Sequence, residues 1–167
     1  MAKIVAAALN IEYYSTGNVF RQLAKEQGMT LEEFSRYAET NPEIDQQLDS
    51  TLVDRAREGN MVVEGQLVGY LLRDVPGCLK VLLIASEEIR LQRMCERDDE
   101  NSVQKLMETL GREKSEQERF LNFYGIDLHD PTVILDIYDL VINTTRWAAE
   151  EVASVVIEAA KNMTDAC

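Results

Sequence analysis

The sequence predicts an α/β fold in which helices cover both faces of a parallel sheet. Short, almost wholly apolar runs alternate with longer segments whose apolar residues recur at helical spacing, which is typical of such sheets. The runs show little polar alternation, as expected for strands that are buried on both faces. Four strands are predicted in this way, at residues 11–14, 61–64, 80–84 and 140–143.

Helix start signals precede the predicted helices between these strands. Thr30 and Glu33 have the spacing of a capping box. Pro42 has the residue type that is favoured at the first helical position. Ser86 and Ser102 are of the type preferred at N-caps. A last helix is indicated by the apolar stripe Val152, Val155, Val156 and Ala159.

Composition and charge limit the classes of function. The 167 residues suffice for one domain with its own core. The formal net charge of −13 argues against nucleic-acid binding, which needs a basic surface. Neither a membrane span nor a secretory signal is expected. For the same reason we expect no membrane partner. The three cysteines form no close pair, so we expect reduced thiols and a cytoplasmic protein.

Two helical segments depart from the alternation of strands and helices. They are residues 28–59 and residues 97–139. We predict that both are mobile and cover a cleft in a single domain of residues 1–167, with ordinary packed helices as the alternative. No pattern in the sequence indicates an oligomeric state.

The turn Ser15-Thr16-Gly17 separates a predicted strand from a helix that carries Arg21. Backbone N–H groups at such a helix start bind anions, and Gly17 permits an anion to approach the backbone closely. Arg21 can bind a phosphate through two parallel hydrogen bonds. The turn therefore predicts a phosphate site, although the same arrangement also occurs as ordinary structure.

The sequence Glu64-Gly65-Gln66 begins at the end of the second predicted strand. The carboxyl ends of parallel strands are where open α/β sheets bind ligands. Glu64 is therefore a candidate for holding a magnesium ion through a water, and Gly65 permits the approach of a substrate base. A strand-ending turn with a solvated carboxylate is the alternative.

Arginines cluster in and beside the second helical segment. Arg90, Arg93 and Arg97 share one helical face, and Arg112 and Arg119 follow. Phosphoryl transfer depends mainly on positioning and on neutralising the charge of the transferred group. Arginines on a closing segment suit that task, because closure also excludes water. A surface of ion pairs with neighbouring glutamates is the alternative, although such pairs contribute little stability.

In order along the chain, these motifs resemble the archaeal-type cytidylate kinases of the nucleoside-monophosphate kinase family. The matching stretches are residues 14–21, 28–34, 41–45, 63–65, 112–116, 124–127 and 138–144. The resemblance implies a P-loop NTPase-like fold, with a three-layer parallel sheet and flanking helices. It also implies transfer of the γ-phosphate of ATP to CMP or dCMP with Mg²⁺, so the partners would be small-molecule nucleotides.

The resemblance implies roles for individual residues as well. The monophosphate site would contain Ser15, Gly17, Arg21, Gly65 and Gln66. The ATP site would contain Arg93 and Arg97, and the catalytic arginines would be Arg97, Arg112 and Arg119. Residues 28–59 would form the monophosphate-binding flap and residues 97–139 the lid.

The chain departs from the family pattern in two places. The family usually has Glu-Gly-Arg where this chain has Glu64-Gly65-Gln66, which keeps a hydrogen-bonding group and loses a charge. The family also begins with a strand and the phosphate loop Gly-x-x-Gly-x-Gly-Lys-Ser/Thr, whereas Met1 stands within the following helix.

We therefore expect the central first strand, between the strands at 61–64 and 80–84, to be missing together with the phosphate loop. Kinase activity would then be impaired in the chain as written. Two alternatives stay open, namely a non-catalytic nucleotide-binding protein derived from the family and an adenylate kinase-like enzyme with another base preference.

Overall fold

The computed structural model describes residues 1–98 and 103–163; within helices α6 and α7 it leaves out the side chains of 97, 98, 103–106, 108, 109 and 112. The strands are β1 (Glu12–Ser15), β2 (Met61–Glu64), β3 (Val81–Ile84) and β4 (Leu140–Asn143). The first helices are α1 (Ala2–Leu9), α2 (Thr16–Glu26), α3 (Leu31–Glu39) and α4 (Pro42–Arg57). The others are α5 (Val68–Leu71), α6 (Glu87–Asp98), α7 (Val103–Tyr124), α8 (Pro131–Ile137) and α9 (Ala149–Asn162). All four predicted strands are confirmed, with bounds that differ by one residue at most.

The strands form two parallel pairs. β1 pairs with β2, from Glu12 opposite Met61 to Ser15 opposite Glu64. β3 pairs with β4 in the same manner, and among the described residues no ladder joins one pair to the other. The predicted α/β class with parallel strands is thus confirmed, while the absence of a central first strand from this chain stays a prediction.

A layer of two helices covers both strand pairs. Val5 of α1 packs with Ala153 and Val156 of α9, and all three side chains are buried. Apolar residues from three strands pack against this cluster, namely Val62, Val81 and Ile142. Because burial of apolar surface is non-directional, the helix layer can hold the pairs together without a hydrogen bond between them.

The flap segment has a core of its own. Phe34, Ala38 and Leu52 are among the most deeply buried side chains of the described residues, and the rings of Phe20 and Phe34 meet edge to face at 4.7 Å. The capping box that was predicted at Thr30 is confirmed. α3 packs against α7, so the helix of the predicted lid lies on a helix of the predicted flap.

None of the described helices is long and apolar enough to cross a membrane.

Gly69 lies against the ring of Tyr138, and this contact yields a prediction for stability. A Cβ at position 69 would stand 2.4 Å from Tyr138 Cε1, so Gly69→Ala must displace the ring. Overpacking of this kind costs about 1–3 kcal/mol of unfolding free energy, which urea denaturation followed by circular dichroism measures.

Gly111 in α7 is the matched control. A Cβ there meets nothing within 4 Å, so Gly111→Ala should raise the unfolding free energy by about 0.5–1 kcal/mol. Equal stability of the Gly69→Ala variant and the unaltered chain would show that the Tyr138 ring does not occupy this place.

Candidate functional site

The carboxyl ends of β1 and β2 are tied together by side chains. The Thr16 hydroxyl donates to the Glu64 carbonyl at 3.2 Å, and the Tyr13 hydroxyl donates to Glu64 Oε1 at 2.5 Å. A Cβ at Gly65 would stand only 2.2 Å from Thr16 Oγ1. Gly65 therefore has no room for a side chain, and the group that approaches it in this structure is Thr16.

The start of α2 brings three of the predicted phosphate-binding residues together. Ser15 is buried and caps the helix, because its Oγ accepts from the backbone N–H of Asn18 at 3.2 Å. Arg21 folds back over the first turn, where Nη2 lies 3.6 Å from the Cβ position of Gly17. The same nitrogen donates to Asn18 Oδ1 at 2.8 Å. A guanidinium and the positive end of a helix thus stand at the same place, which favours an anion.

Gln66 joins this region to α7. Its amide nitrogen donates to the carboxylate of Glu116, and both groups are on the surface. The structure therefore places Gln66 beside the predicted lid helix, directly after the Gly65 turn. Its role toward a monophosphate stays a prediction.

Arg119 lies in a buried cluster with flap residues. Its Nε donates to Asp45 Oδ2 at 3.1 Å and its Nη1 donates to the Ser35 hydroxyl at 3.3 Å. Only 5% of Arg119 and 9% of Asp45 is exposed. Burial raises the pKa of the Asp45 carboxyl, and the guanidinium of Arg119 offsets part of that rise.

A second, half-buried carboxyl follows one helical turn later on α4. Asp49 accepts a hydrogen bond from the Tyr124 hydroxyl, and the Tyr124 ring packs edge-on against Tyr70 at 6.3 Å. Burial raises the pKa of Asp49, and the neighbouring charge of Asp45 adds to the rise. Burial and the Asp49 carboxylate together raise the pKa of Tyr124.

Sequence reasoning did not select Asp45, Asp49 or Tyr124. A signal was present, because positions 45, 49, 52 and 56 recur at the spacing of one helical face. Leu52 and Ala56 are buried there, so two aspartates on that face call for partners from another element.

A cleft lies at the carboxyl ends of β3 and β4. It has a volume of about 670 Å³ and is lined by Ser86, Asn143, Thr145, Arg146 and Trp147. Arg93 holds the loop that forms it, donating to the hydroxyl and the carbonyl of Thr144 at 2.9 Å each and to the Trp147 carbonyl at 3.1 Å. Arg93, predicted at the ATP site, thus supports the wall of this cleft.

The remaining predicted arginines belong to α6 and α7. Arg90 of α6 pairs with Glu113 of α7 at 2.7 Å. Arg97 and Arg112 lie within the two helices, and their side chains fall outside the described part of the structure. Their predicted roles, like that of Arg119, stay predictions.

Glu64 has a carboxylate oxygen that could hold a magnesium ion through a water molecule. Among the described residues no group of three or more acidic, histidine or cysteine side chains could hold a metal alone. Glu64 uses one oxygen toward Tyr13, and no described residue donates to the other. Mg²⁺ commonly takes one or two carboxylates and relies on phosphates and waters for the rest, so this donor set fits a nucleotide-borne ion.

The raised pKa of Asp49 predicts how the free energy of unfolding depends on pH. The folded state binds the Asp49 proton more readily than the unfolded state. Stability from this group is therefore lost as pH rises from the ordinary carboxyl value through the raised one. Asp49→Asn removes the charge and keeps an oxygen for Tyr124, so it should stabilise the protein at about pH 7 and progressively less toward about pH 4.

Urea unfolding of both proteins at several pH values measures this difference. Tyr124→Phe leaves the Asp49 carboxylate in place and removes the hydrogen bond that lowers its pKa, so its stability should depend on pH in the same direction as that of the unaltered chain and at least as strongly. An advantage of Asp49→Asn that does not change with pH would contradict the burial of the charge.

The chain is similar in sequence to known proteins. Residues 1–146 match the model of the cytidylate kinase-like family. A cytidylate kinase of Pyrococcus horikoshii is 40% identical over 156 residues, which are 93% of this chain and 78% of that protein. The cytidylate kinase of Archaeoglobus fulgidus is 43% identical over 160 residues, covering 95% of this chain and 86% of the relative. That of Methanococcus aeolicus is 38% identical over 164 residues, covering 97% and 90%. The chain belongs to the cytidylate kinase-like family, whose members are nucleotide kinases.

Proposed function

We propose that the protein transfers the γ-phosphate of ATP to CMP or dCMP, giving ADP and CDP or dCDP. The observation that carries the proposal is the guanidinium of Arg21, which Asn18 holds over Gly17 at the start of α2. Similar chains from three archaea carry the name cytidylate kinase, which supports this choice among the nucleotide kinases.

The monophosphate would bind at the carboxyl end of the β1–β2 pair. Its phosphate would lie against the first turn of α2, where Gly17 lets it approach the backbone and Arg21 donates two parallel bonds. The Ser15 cap fixes the direction of that turn. Binding there holds the accepting oxygen in one orientation, and positioning is the larger part of phosphoryl-transfer catalysis.

ATP would bind on the other strand pair. The cleft beside Trp147 offers a half-exposed aromatic ring for a purine base. Arg93 maintains the loop, and Arg97 and Arg112 are proposed to neutralise the phosphates from α6 and α7. The two nucleotides would then meet between the strand pairs, at the carboxyl ends of the strands.

Magnesium would accompany the ATP phosphates. When bound, the ion neutralises charge that develops on the transferred group. Glu64 would hold one of its waters through the oxygen that Tyr13 leaves free. Tyr13 fixes the direction of the carboxylate, and the pKa of its hydroxyl is raised by burial and by the bond to Glu64, so it stays a donor near neutral pH.

Transfer from ATP also requires a phosphate loop that binds the ATP phosphates. Residues 1–167 contain no Gly-x-x-x-x-Gly-Lys-Ser/Thr sequence, whose backbone N–H groups and lysine would cradle the ATP phosphates. We propose that residues 1–167 alone bind the monophosphate and transfer phosphate poorly. A non-catalytic nucleotide-binding protein is the second candidate, and the same observation favours it.

A coupled ADP-release assay tests the function. It compares residues 1–167 with the same chain extended at its N-terminus by a strand and a Gly-x-x-Gly-x-Gly-Lys-Thr loop. With ATP and Mg²⁺, only the extended chain should turn over, and CMP and dCMP should be better acceptors than UMP or AMP. In that chain Arg21→Ala should raise the KM for CMP at least about tenfold, because hydrogen bonds to charged groups contribute about 1.5–3 kcal/mol.

Lys161→Ala is the control for the loss of one positive charge. Lys161 is an exposed residue in the last turn of α9, outside the flap, the lid and both proposed nucleotide sites, so its removal should leave KM unchanged. A preference for AMP would support the adenylate kinase-like alternative. Binding of CMP without turnover by either chain would support the nucleotide-binding alternative.

A further inference from the structure

Gln66 brings a negative charge of α7 to the turn that follows β2. Its amide nitrogen donates to the carboxylate of Glu116, which belongs to the predicted lid helix. The preceding residue, Gly65, packs so closely on α2 that a Cβ there would stand 2.2 Å from Thr16 Oγ1. Because consecutive Cα atoms are about 3.8 Å apart, the hydrogen bond of Gln66 lies close to the first turn of α2.

The charges around this turn differ in sign. Arg21 supplies a positive charge, and its Nη2 lies 3.6 Å from the Cβ position of Gly17. Glu64 supplies a negative charge at the end of β2, and Glu116 supplies another through its hydrogen bond to Gln66. The amide of Gln66 itself is neutral. Among these four side chains, the carboxylates therefore outnumber the guanidinium.

The second negative charge of a bound phosphate gains little in such surroundings. A phosphate monoester carries one charge below its second pKa of about 6 and two charges well above it. Arg21 and the start of α2 attract each of these charges, whereas Glu64 and Glu116 repel each of them. The hydrogen bonds from Arg21 and from the backbone form with either charge state, so they hold a singly charged group as well.

We propose that Gln66 is the specificity-determining residue for the charge of the bound phosphate group, an inference that rests on the proposed function. With a neutral amide at position 66, the site binds a singly charged phosphate or sulfate ester about as well as a doubly charged one. A positive side chain at this position would favour the doubly charged ester. Gln66 thus widens the class of ligands to nucleoside esters that carry one negative charge.

This assignment differs from a purely structural role for the bond between Gln66 and Glu116. If the bond served only to place α7, its loss would change the affinities for both esters by the same factor. A residue that sets the local charge changes the ratio of the two affinities instead.

Calorimetric titration of residues 1–167 with CMP and with cytidine 5′-sulfate tests the inference without requiring catalysis. At about pH 7.5 the sulfate ester carries one negative charge and CMP nearly two, and Mg²⁺ is left out so that it does not neutralise Glu64. The unaltered chain should bind the two ligands within about threefold of each other. Gln66→Arg should raise the affinity ratio of CMP to the sulfate ester at least about fivefold, because the added charge attracts the second charge of CMP.

Glu116→Gln changes the charge by the same amount on the other side of the hydrogen bond and keeps a carbonyl oxygen for Gln66. It should raise the ratio as well. Glu118→Gln is the matched control, because it removes a carboxylate two positions further along α7, at an exposed residue whose ion-pair partner is Lys114. Its ratio should equal that of the unaltered chain.

A strong preference of the unaltered chain for CMP that neither Gln66→Arg nor Glu116→Gln changes would show that the inference is wrong, while the proposed function stands. An equal rise of the ratio in Glu118→Gln would also overturn it, as an effect of net charge alone. If the unaltered chain binds neither CMP nor the sulfate ester, the proposed function and the inference fail together.

Discussion

The contact between Gly65 and Thr16 is the constraint on which the candidate site depends. The Cβ position of Gly65 is only 2.2 Å from Thr16 Oγ1, and the same hydroxyl donates to the carbonyl of Glu64. The end of β2 and the start of α2 are therefore fixed against each other by steric fit and by a hydrogen bond. This junction sets the first turn of α2 against the end of β2, and the Tyr13 hydroxyl then fixes the direction of the Glu64 carboxylate beside it.

The division of the strands into two pairs separates two kinds of site. The β1–β2 pair carries the anion-binding turn, and the β3–β4 pair carries the cleft beside Trp147. Apolar packing of α1 and α9 holds the pairs together, while α7 contacts the flap, the turn after β2 and α6 through polar side chains. Exposed pairs such as Gln66 with Glu116 contribute little stability, so the buried contacts to the flap dominate the placement of α7.

The sequence predicted those parts of the fold that depend on neighbouring residues. Strand positions, the capping box at Thr30 and the grouping of Ser15, Gly17 and Arg21 follow from local periodicity and turn chemistry, and the structure has them all. The Asp45–Arg119 pair was not predicted, because its members are 74 positions apart and only the packing of α4 on α7 brings them together. The spacing of Asp45 from the buried Leu52 and Ala56 is that of one helical face, but a single sequence does not reveal the partner of such a carboxylate.

The most direct test of the phosphate site is a two-dimensional ¹⁵N–¹H NMR titration of residues 1–167 with CMP and, separately, with cytidine. With CMP, the largest shifts should fall on the amides of Thr16, Gly17 and Asn18 and on the side chain of Arg21. Cytidine should leave these signals nearly unmoved, because it lacks the phosphate. Equal shifts with cytidine, or shifts confined to the cleft of Ser86 and Trp147, would contradict a monophosphate site at the start of α2.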